Sequence, residues 1–163
     1  MSSYYDEYIK YKTKYIALKQ RGGCTLSTTS FKDGGPMGLD FPDLKWTPPP
    51  KEAKELVITC VDPDAAQVRS DHTPFVHYLA WSDNPKAKIN GFTVGKNSAG
   101  ENSYHPPSPP KNGGPHHYIF TLYVLNKDVD LGLDQEYTAA ELKSILKPAT
   151  IFKSSITGTY ENK

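Results

Sequence analysis

Residues 104–125 read YHPPSPPKNGGPHHYIFTLYVL, and the reading of this stretch decides the fold. Its second half is rich in aromatic and β-branched residues and predicts a buried strand over 117–125. Its first half is proline and glycine. The prolines fix φ and remove backbone donors, so the loop is stiff. Gly113 and Gly114 can take φ > 0 and turn their N–H groups outward, as in an anion-binding nest. His116 and His117 sit at the junction, where an imidazole can donate to an anion, ligate a metal or move a proton. A rigid loop running into a buried strand holds polar groups still at the rim of a core. Taken alone, the stretch also fits an ordinary loop with two hydrogen-bonded histidines.

Two more strands accompany it. Residues 56–62, LVITCVD, are apolar on both faces and predict a central strand. Asp62 ends it, and Pro63 pushes Asp62 away from the helical region. Residues 75–81, FVHYLAW, predict a second buried strand in which His77 shares a face with Phe75, Leu79 and Trp81. A polar residue on such a face needs a partner. Shorter strands are expected at 25–31, 44–46 and 155–160. Loops are expected at 32–43 and 86–103, with a tight turn at Asn90-Gly91. Thr138 and Glu141 form a capping box ahead of Leu142, Ile145 and Leu146, and Pro148 ends that short helix. The expected core is Val57, Ile58, Val61, Phe75, Leu79, Phe120, Leu122 and Val124. No internal repeat occurs, and residues 24–163 read as one unit.

Residues 1–23 differ. Tyr4, Tyr8, Tyr11, Tyr15 and Leu18 recur at spacings of four and three among lysines, predicting an amphipathic helix stopped by Gly22 and Gly23. A tyrosine stripe suits an interface, so this extension is expected to mediate self-association or partner binding. A tail with helical bias fits the same residues.

The chain has 163 residues, with 19 basic against 18 acidic ones, which gives no electrostatic reason to expect nucleic acid as a partner. Its 14 prolines, 12 glycines and 11 tyrosines suit a β-rich, loop-rich domain. Cys24 and Cys60 form no zinc spacing and no disulfide framework. A buried free thiol at Cys60 favours a reducing, cytoplasmic setting. No apolar run is long enough for a transmembrane segment, and residues 1–23 hold no apolar signal core.

Asp62 at a strand end, His77 within a strand and His116 at a strand start can converge at one rim. Asp62 is then expected to hydrogen-bond and orient His77. The same pair would equally serve to satisfy buried polar groups. One Asp and two His could hold iron or zinc, but from three separate segments with no HExxH or CxxC. A hydrolase would need a nucleophile; Ser108 lies beside prolines without a GxSxG elbow. No catalytic residue, metal ligand or cofactor is implied, and no phosphate loop of the nucleotide-binding kinds occurs.

These residues resemble the phosphatidylethanolamine-binding protein family. Asp62-Pro63-Asp64-Ala65 is similar to its DPDAP segment. Phe75-Val76-His77-Tyr78 is similar to its histidine strand. Pro109-Pro110 followed by Gly114-Pro115-His116-His117-Tyr118 is similar to its PP…GxHRY loop. With GGPMGLDF, LKW and the closing TGTY, the pieces run in family order across residues 24–160. The short C-terminus is similar to the bacterial and archaeal branch, and the N-terminal extension resembles those of giant DNA virus proteins, which would set the protein in host cytoplasm or a virion. The resemblance implies a mainly β fold, with a large central antiparallel sheet packed on a smaller one and few short helices. It implies a small anion pocket for phosphate or phosphorylated head groups such as phosphoethanolamine, in a regulatory binding protein and not an enzyme. The alternative it implies is an interaction protein that inhibits a kinase or protease. Carried over by position, Asp62, His77, His116, Tyr118, Ser108, Pro109 and Pro110 would line the pocket, with Asp64 and Ala65 beneath. Ala66 departs from the last proline of DPDAP and loosens that turn. His117 replaces the arginine of HRY and puts in question a contact between that arginine and a carboxylate.

Overall fold

The structure is a computed structural model that describes residues 8–12 and 24–163. The chain forms β1 (Leu26–Thr28), β2 (Leu44–Trp46), β3 (Glu55–Asp62), β4 (Phe75–Ser82), β5 (Thr93–Val94), β6 (His116–Leu125), α1 (Ala139–Leu146) and β7 (Thr150–Tyr160). β1 and β2 pair as a small antiparallel sheet, while the large antiparallel sheet runs β5-β4-β3-β6-β7.

The unbroken apolar run of β3 puts it at the centre, where every residue except half-buried Val61 is buried. Each face of the sheet carries its own core. Leu56, Ile58, Cys60, Tyr118, Phe120 and Leu122 meet Leu26 and Leu44 of the small sheet on one side. Val57, Leu79 and Leu125 meet Leu142 and Leu146 of α1 on the other. Burying each such side chain contributes about 1.5–3 kcal/mol relative to leaving it in water. The helix starts where its sequence says, because Thr138 Oγ1 accepts from the Glu141 amide at 3.1 Å and Glu141 Oε1 accepts from the Thr138 amide at 3.3 Å.

Several elements differ from the sequence reading. β7 begins at Thr150 instead of 155, because its alternation of half-buried and buried residues is too shallow to stand out from a serine- and threonine-rich segment. Its outer edge near Gly158 is covered by residues 34–37, with Met37 N–H donating to the Thr159 carbonyl at 2.8 Å. A Cβ at Gly158 would lie 2.5 Å from Met37 Sδ, so the glycine of TGTY permits that approach. β1 is confined to 26–28, since the Ser30 amide turns back onto Thr28 Oγ1 at 3.1 Å. The stretch 86–103 contains β5, and Asn90-Gly91 falls in a 3-10 turn. Val61 and Phe75 are half-buried, not core, because they lie at the sheet's open end. At the N-terminus, residues 8–12 are helical and Tyr8, Ile9 and Tyr11 are exposed; the rest of the tyrosine stripe lies outside the described residues.

Candidate functional site

At the open end of the large sheet lies a cavity of about 260 Å³. It is lined by Asp62, Ala65, His77, Ser108, Pro109, Pro110, His116 and Tyr118, together with Val68, Arg69, Phe75 and His105. The topology explains the meeting. β3 sits between β4 and β6, so Asp62 at its end is flanked by residues of both neighbours. Of the residues expected at the pocket, Asp64 is the one that does not line it.

Asp62 is buried and holds the site together. Its Oδ1 accepts from the backbone N–H groups of Asp64 and Ala65 at 2.9 and 3.2 Å, which fixes the 3-10 turn Asp64–Gln67. The turn is thus closed by the carboxylate although Ala66 stands where the family has proline. Asp62 Oδ2 accepts from Nδ1 of buried His116 at 2.7 Å. This corrects the expectation that Asp62 orients His77.

The cause is a β-bulge. Cys60 pairs with Tyr78 but Val61 pairs with Val76, which leaves His77 as the extra residue on β4. The one-residue slip puts Val76 in the core beside Leu79 and turns His77 off that face. The His77 ring instead packs against Phe75, Tyr118 and His105 at centroid distances of 4.6, 5.0 and 5.7 Å. Its Nδ1–H donates to the carbonyl of His105 at 2.7 Å, and the His105 N–H donates back to the His77 carbonyl at 2.9 Å. Burial pushes the His77 imidazole down to about 4, more than the bond to His105 raises it. His77 is therefore neutral at physiological pH.

The proline loop is anchored at both ends. Tyr104 packs on Phe41 at 5.1 Å, and Phe41 packs on Tyr78 at 4.7 Å. At the far end, Asn162 accepts from the Asn112 amide at 2.8 Å and donates to the Pro109 carbonyl at 3.3 Å. Gly114 takes φ +83°, as a left-handed position requires. Neither Gly113 nor Gly114 lines the cavity, and the Gly113 N–H donates to the Pro110 carbonyl at 3.1 Å. The glycines shape the turn and form no nest toward the cavity.

Asp64 faces away because it pairs with His117, whose Nδ1 and backbone N–H reach Asp64 Oδ2 at 2.8 and 2.7 Å. Partial burial pushes this carboxyl up, but the two bonds from His117 outweigh it and hold it below the usual range. The shorter His117 thus keeps a carboxylate contact.

One buried hydroxyl of a lining residue is unpartnered. The Tyr118 hydroxyl is buried with no hydrogen-bond partner among the described residues, and burial raises it well above its usual range, so it remains a donor. Arg69, Phe75 and His105 at the mouth were not singled out as site residues in the sequence. Arg69 has a legible local signal, since Arg-x-Asp with Thr73 beyond is a compact pairing motif. His105 has none beyond its place next to Tyr104. Among the described residues no group of three or more His, Cys, Asp or Glu side chains is arranged to hold a metal ion.

The sequence pattern of the family described as phosphatidylethanolamine-binding protein matches residues 18–161. The chain belongs to this family. Among its relatives is the UPF0098 protein of Pyrococcus abyssi, 32% identical over 140 residues, which span 77% of this chain and 75% of the relative. The fold matches the crystal structure of a phosphatidylethanolamine-binding protein homologue from Chlamydia trachomatis, at TM-score 0.70 and 28% identity over 86% of this chain and 99% of that one. It also matches carboxypeptidase Y inhibitor in complex with its cognate proteinase, at TM-score 0.60 and 17% identity over 93% of this chain and 96% of that one. The last is a likeness of fold. The mainly β architecture of two antiparallel sheets with few short helices is thus the family's own, and among the described residues no helix is long and apolar enough to cross a membrane.

Proposed function

We propose that the cavity binds a small anion, phosphate or a phosphorylated head group, and that the protein is a regulatory binding protein and not an enzyme. The observation that carries this reading is the buried Asp62–His116 pair at 2.7 Å, in a cavity also lined by aromatic rings, two prolines, Ser108 and Arg69. Asp62 fixes His116 through Nδ1, and Nε2 makes no hydrogen bond to a described residue. Protonated His116 offers that nitrogen as a donor, with its charge balanced by the carboxylate behind it. Ser108 contributes a hydroxyl from the loop wall, and Pro109 and Pro110 keep that wall rigid and dry.

A proton decides what His116 contributes to this reading. His77 and His116 both direct Nδ1–H at a protein oxygen, so a neutral ring presents only a lone pair at Nε2, which repels an anion. His77 is held neutral, so a proton that accompanies the anion resides on His116, and binding strengthens as pH falls. Calorimetric titration of inorganic phosphate tests it. Replacing His116→Ala is expected to weaken binding by about ten- to a hundredfold, the equivalent of one charge-assisted hydrogen bond. Binding indifferent to that substitution would move the function to another surface.

A second reading, inhibition of a proteinase or kinase through the protein's surface, draws on the fold shared with carboxypeptidase Y inhibitor. It predicts a complex that tolerates His116→Ala. A hydrolase reading has less support, because Ser108 is bonded to none of the site's histidines and so has no general base.

A further inference from the structure

The cavity is several times the ~30 Å³ that one water occupies in the liquid, so a ligand anchored at His116 carries a substituent that reaches toward the mouth. What the mouth offers that substituent is uneven. The Arg69 guanidinium lies over the Phe75 ring at 5.0 Å. Its Nε and one Nη2 hydrogen point at Asp71 Oδ1 and Oδ2, at 3.1 and 2.9 Å. Asp71 is itself fixed by the Thr73 amide and hydroxyl at 3.0 and 2.9 Å. Arginine has five N–H donors, so this fork orients the group and leaves three of them for a ligand. The side chain is 27% exposed, enough to be reached and too little to swing freely.

For a cation the described residues offer lone pairs on His77 and Ser108 but no free carboxylate. Asp62 is the sole acidic residue among the described residues that line the cavity, and its carboxylate already accepts from His116 and two amides. Asp71 has both oxygens on Arg69 and Thr73. Asp64 faces His117 outside the cavity. The Phe75 face, which could have taken an ammonium, is shared by Arg69 and by the rings of His77 and His105 at 4.6 and 5.1 Å. Of the other exposed lining residues, Val68 and Pro110 are apolar and Ser108 offers a hydroxyl.

Resting on the anion reading above, we infer that Arg69, oriented by Asp71 and Phe75, is a specificity-determining residue that makes the cavity select phosphate monoesters with an acidic substituent over those with an ammonium. An acidic group meets oriented guanidinium donors. An ammonium leaves water without gaining a carboxylate and meets a like charge.

Phosphoglycolate and phosphoethanolamine test this, because they are close in size and exchange a carboxylate for an ammonium. Titrated into the full chain, phosphoglycolate is expected to bind roughly three- to tenfold more tightly, the range of a part-exposed charge-assisted contact. In Arg69→Gln the ratio is expected to fall to about one, while inorganic phosphate changes much less. Arg69→Lys keeps the charge without the fork and should fall between, and it serves as the test if Arg69→Gln melts early. A wild-type ratio at or below one, with both ligands still sensitive to His116→Ala, overturns the inference and leaves the anion pocket standing. A preference that survives both Arg69 variants overturns the role of Arg69. Failure of all three probes, inorganic phosphate included, overturns the pocket reading and this inference with it.

Discussion

Asp62→Asn is the perturbation that separates structure from chemistry at this site. The amide keeps an acceptor for the Asp64 and Ala65 N–H groups, which lie 2.9 and 3.2 Å from Oδ1. It replaces the carboxylate oxygen 2.7 Å from His116 Nδ1 by an NH2 donor. Donor would face donor, so the His116 ring changes tautomer, with Nδ1 accepting and Nε2 bearing the proton. The cost follows from three bonds to a buried charge becoming three neutral bonds, each weaker by about 1 kcal/mol. Relief from burying a carboxylate offsets part of this, giving a net loss of about 1–3 kcal/mol, or roughly 3–10 °C in melting temperature for a domain of this size. The binding consequence has the opposite sense. A neutral Nε2–H donates to an anion at any pH, so the variant is expected to bind sulfate with nearly equal affinity at pH 6 and pH 8. The wild type loses up to about tenfold per pH unit once the proton must be taken up on binding. Sulfate is the probe because it remains a dianion across this range, whereas a phosphate monoester titrates near pH 6. Thermal melts give the stability and calorimetry gives the affinities. A variant that binds with the full wild-type pH dependence would place the proton on another group and refute the reasoning.

Other expectations concern the core. Leu122 is fully buried on β6 between β3 and β7, so Leu122→Ala should cost about 2–5 kcal/mol by urea unfolding. Glu55 is buried with Oε2 accepting from the Val129 amide at 2.6 Å, and desolvation by burial is the main cause that raises its carboxyl. A raised acid is more stabilising when protonated, so its contribution is present below about pH 4 and lost as pH rises through the folded value. Glu55→Gln should therefore gain stability relative to wild type between pH 4 and pH 7 and match it below. Cys24 donates its Sγ–H to the Thr47 carbonyl at 2.9 Å and is pushed up to about 11 by burial, and Cys60 is raised by burial as well. Both thiols should resist a thiol reagent in the native protein at pH 8 and react on unfolding.

The parts of this fold legible in the sequence were those written in local pattern. LVITCVD read as a strand covered on both faces, and it is the central one. Thr138 and Glu141 announced a helix start through two reciprocal hydrogen bonds. Asp62 and His116 were visible as polar residues terminating apolar runs. The bulge at His77 was not legible, because a register slip is a property of how two strands pair and leaves the alternation along either one unchanged. That slip alone moved Asp62 from His77 to His116 and brought the His105 carbonyl to His77. The mouth residues were missed for a related reason. Arg69 and His105 come from segments without periodicity, and their relevance depends on Phe75 standing half-buried at the sheet's end.

An anion that arrives together with a proton on His116 lets that proton be counted. Calorimetric titration of sulfate at pH 8, repeated in buffers of different ionisation enthalpy, reads the number of protons taken up per anion bound. The wild type is expected to take up protons with the anion, and Asp62→Asn close to none. Sulfate binding at pH 8 by the wild type with no proton uptake would contradict this expectation.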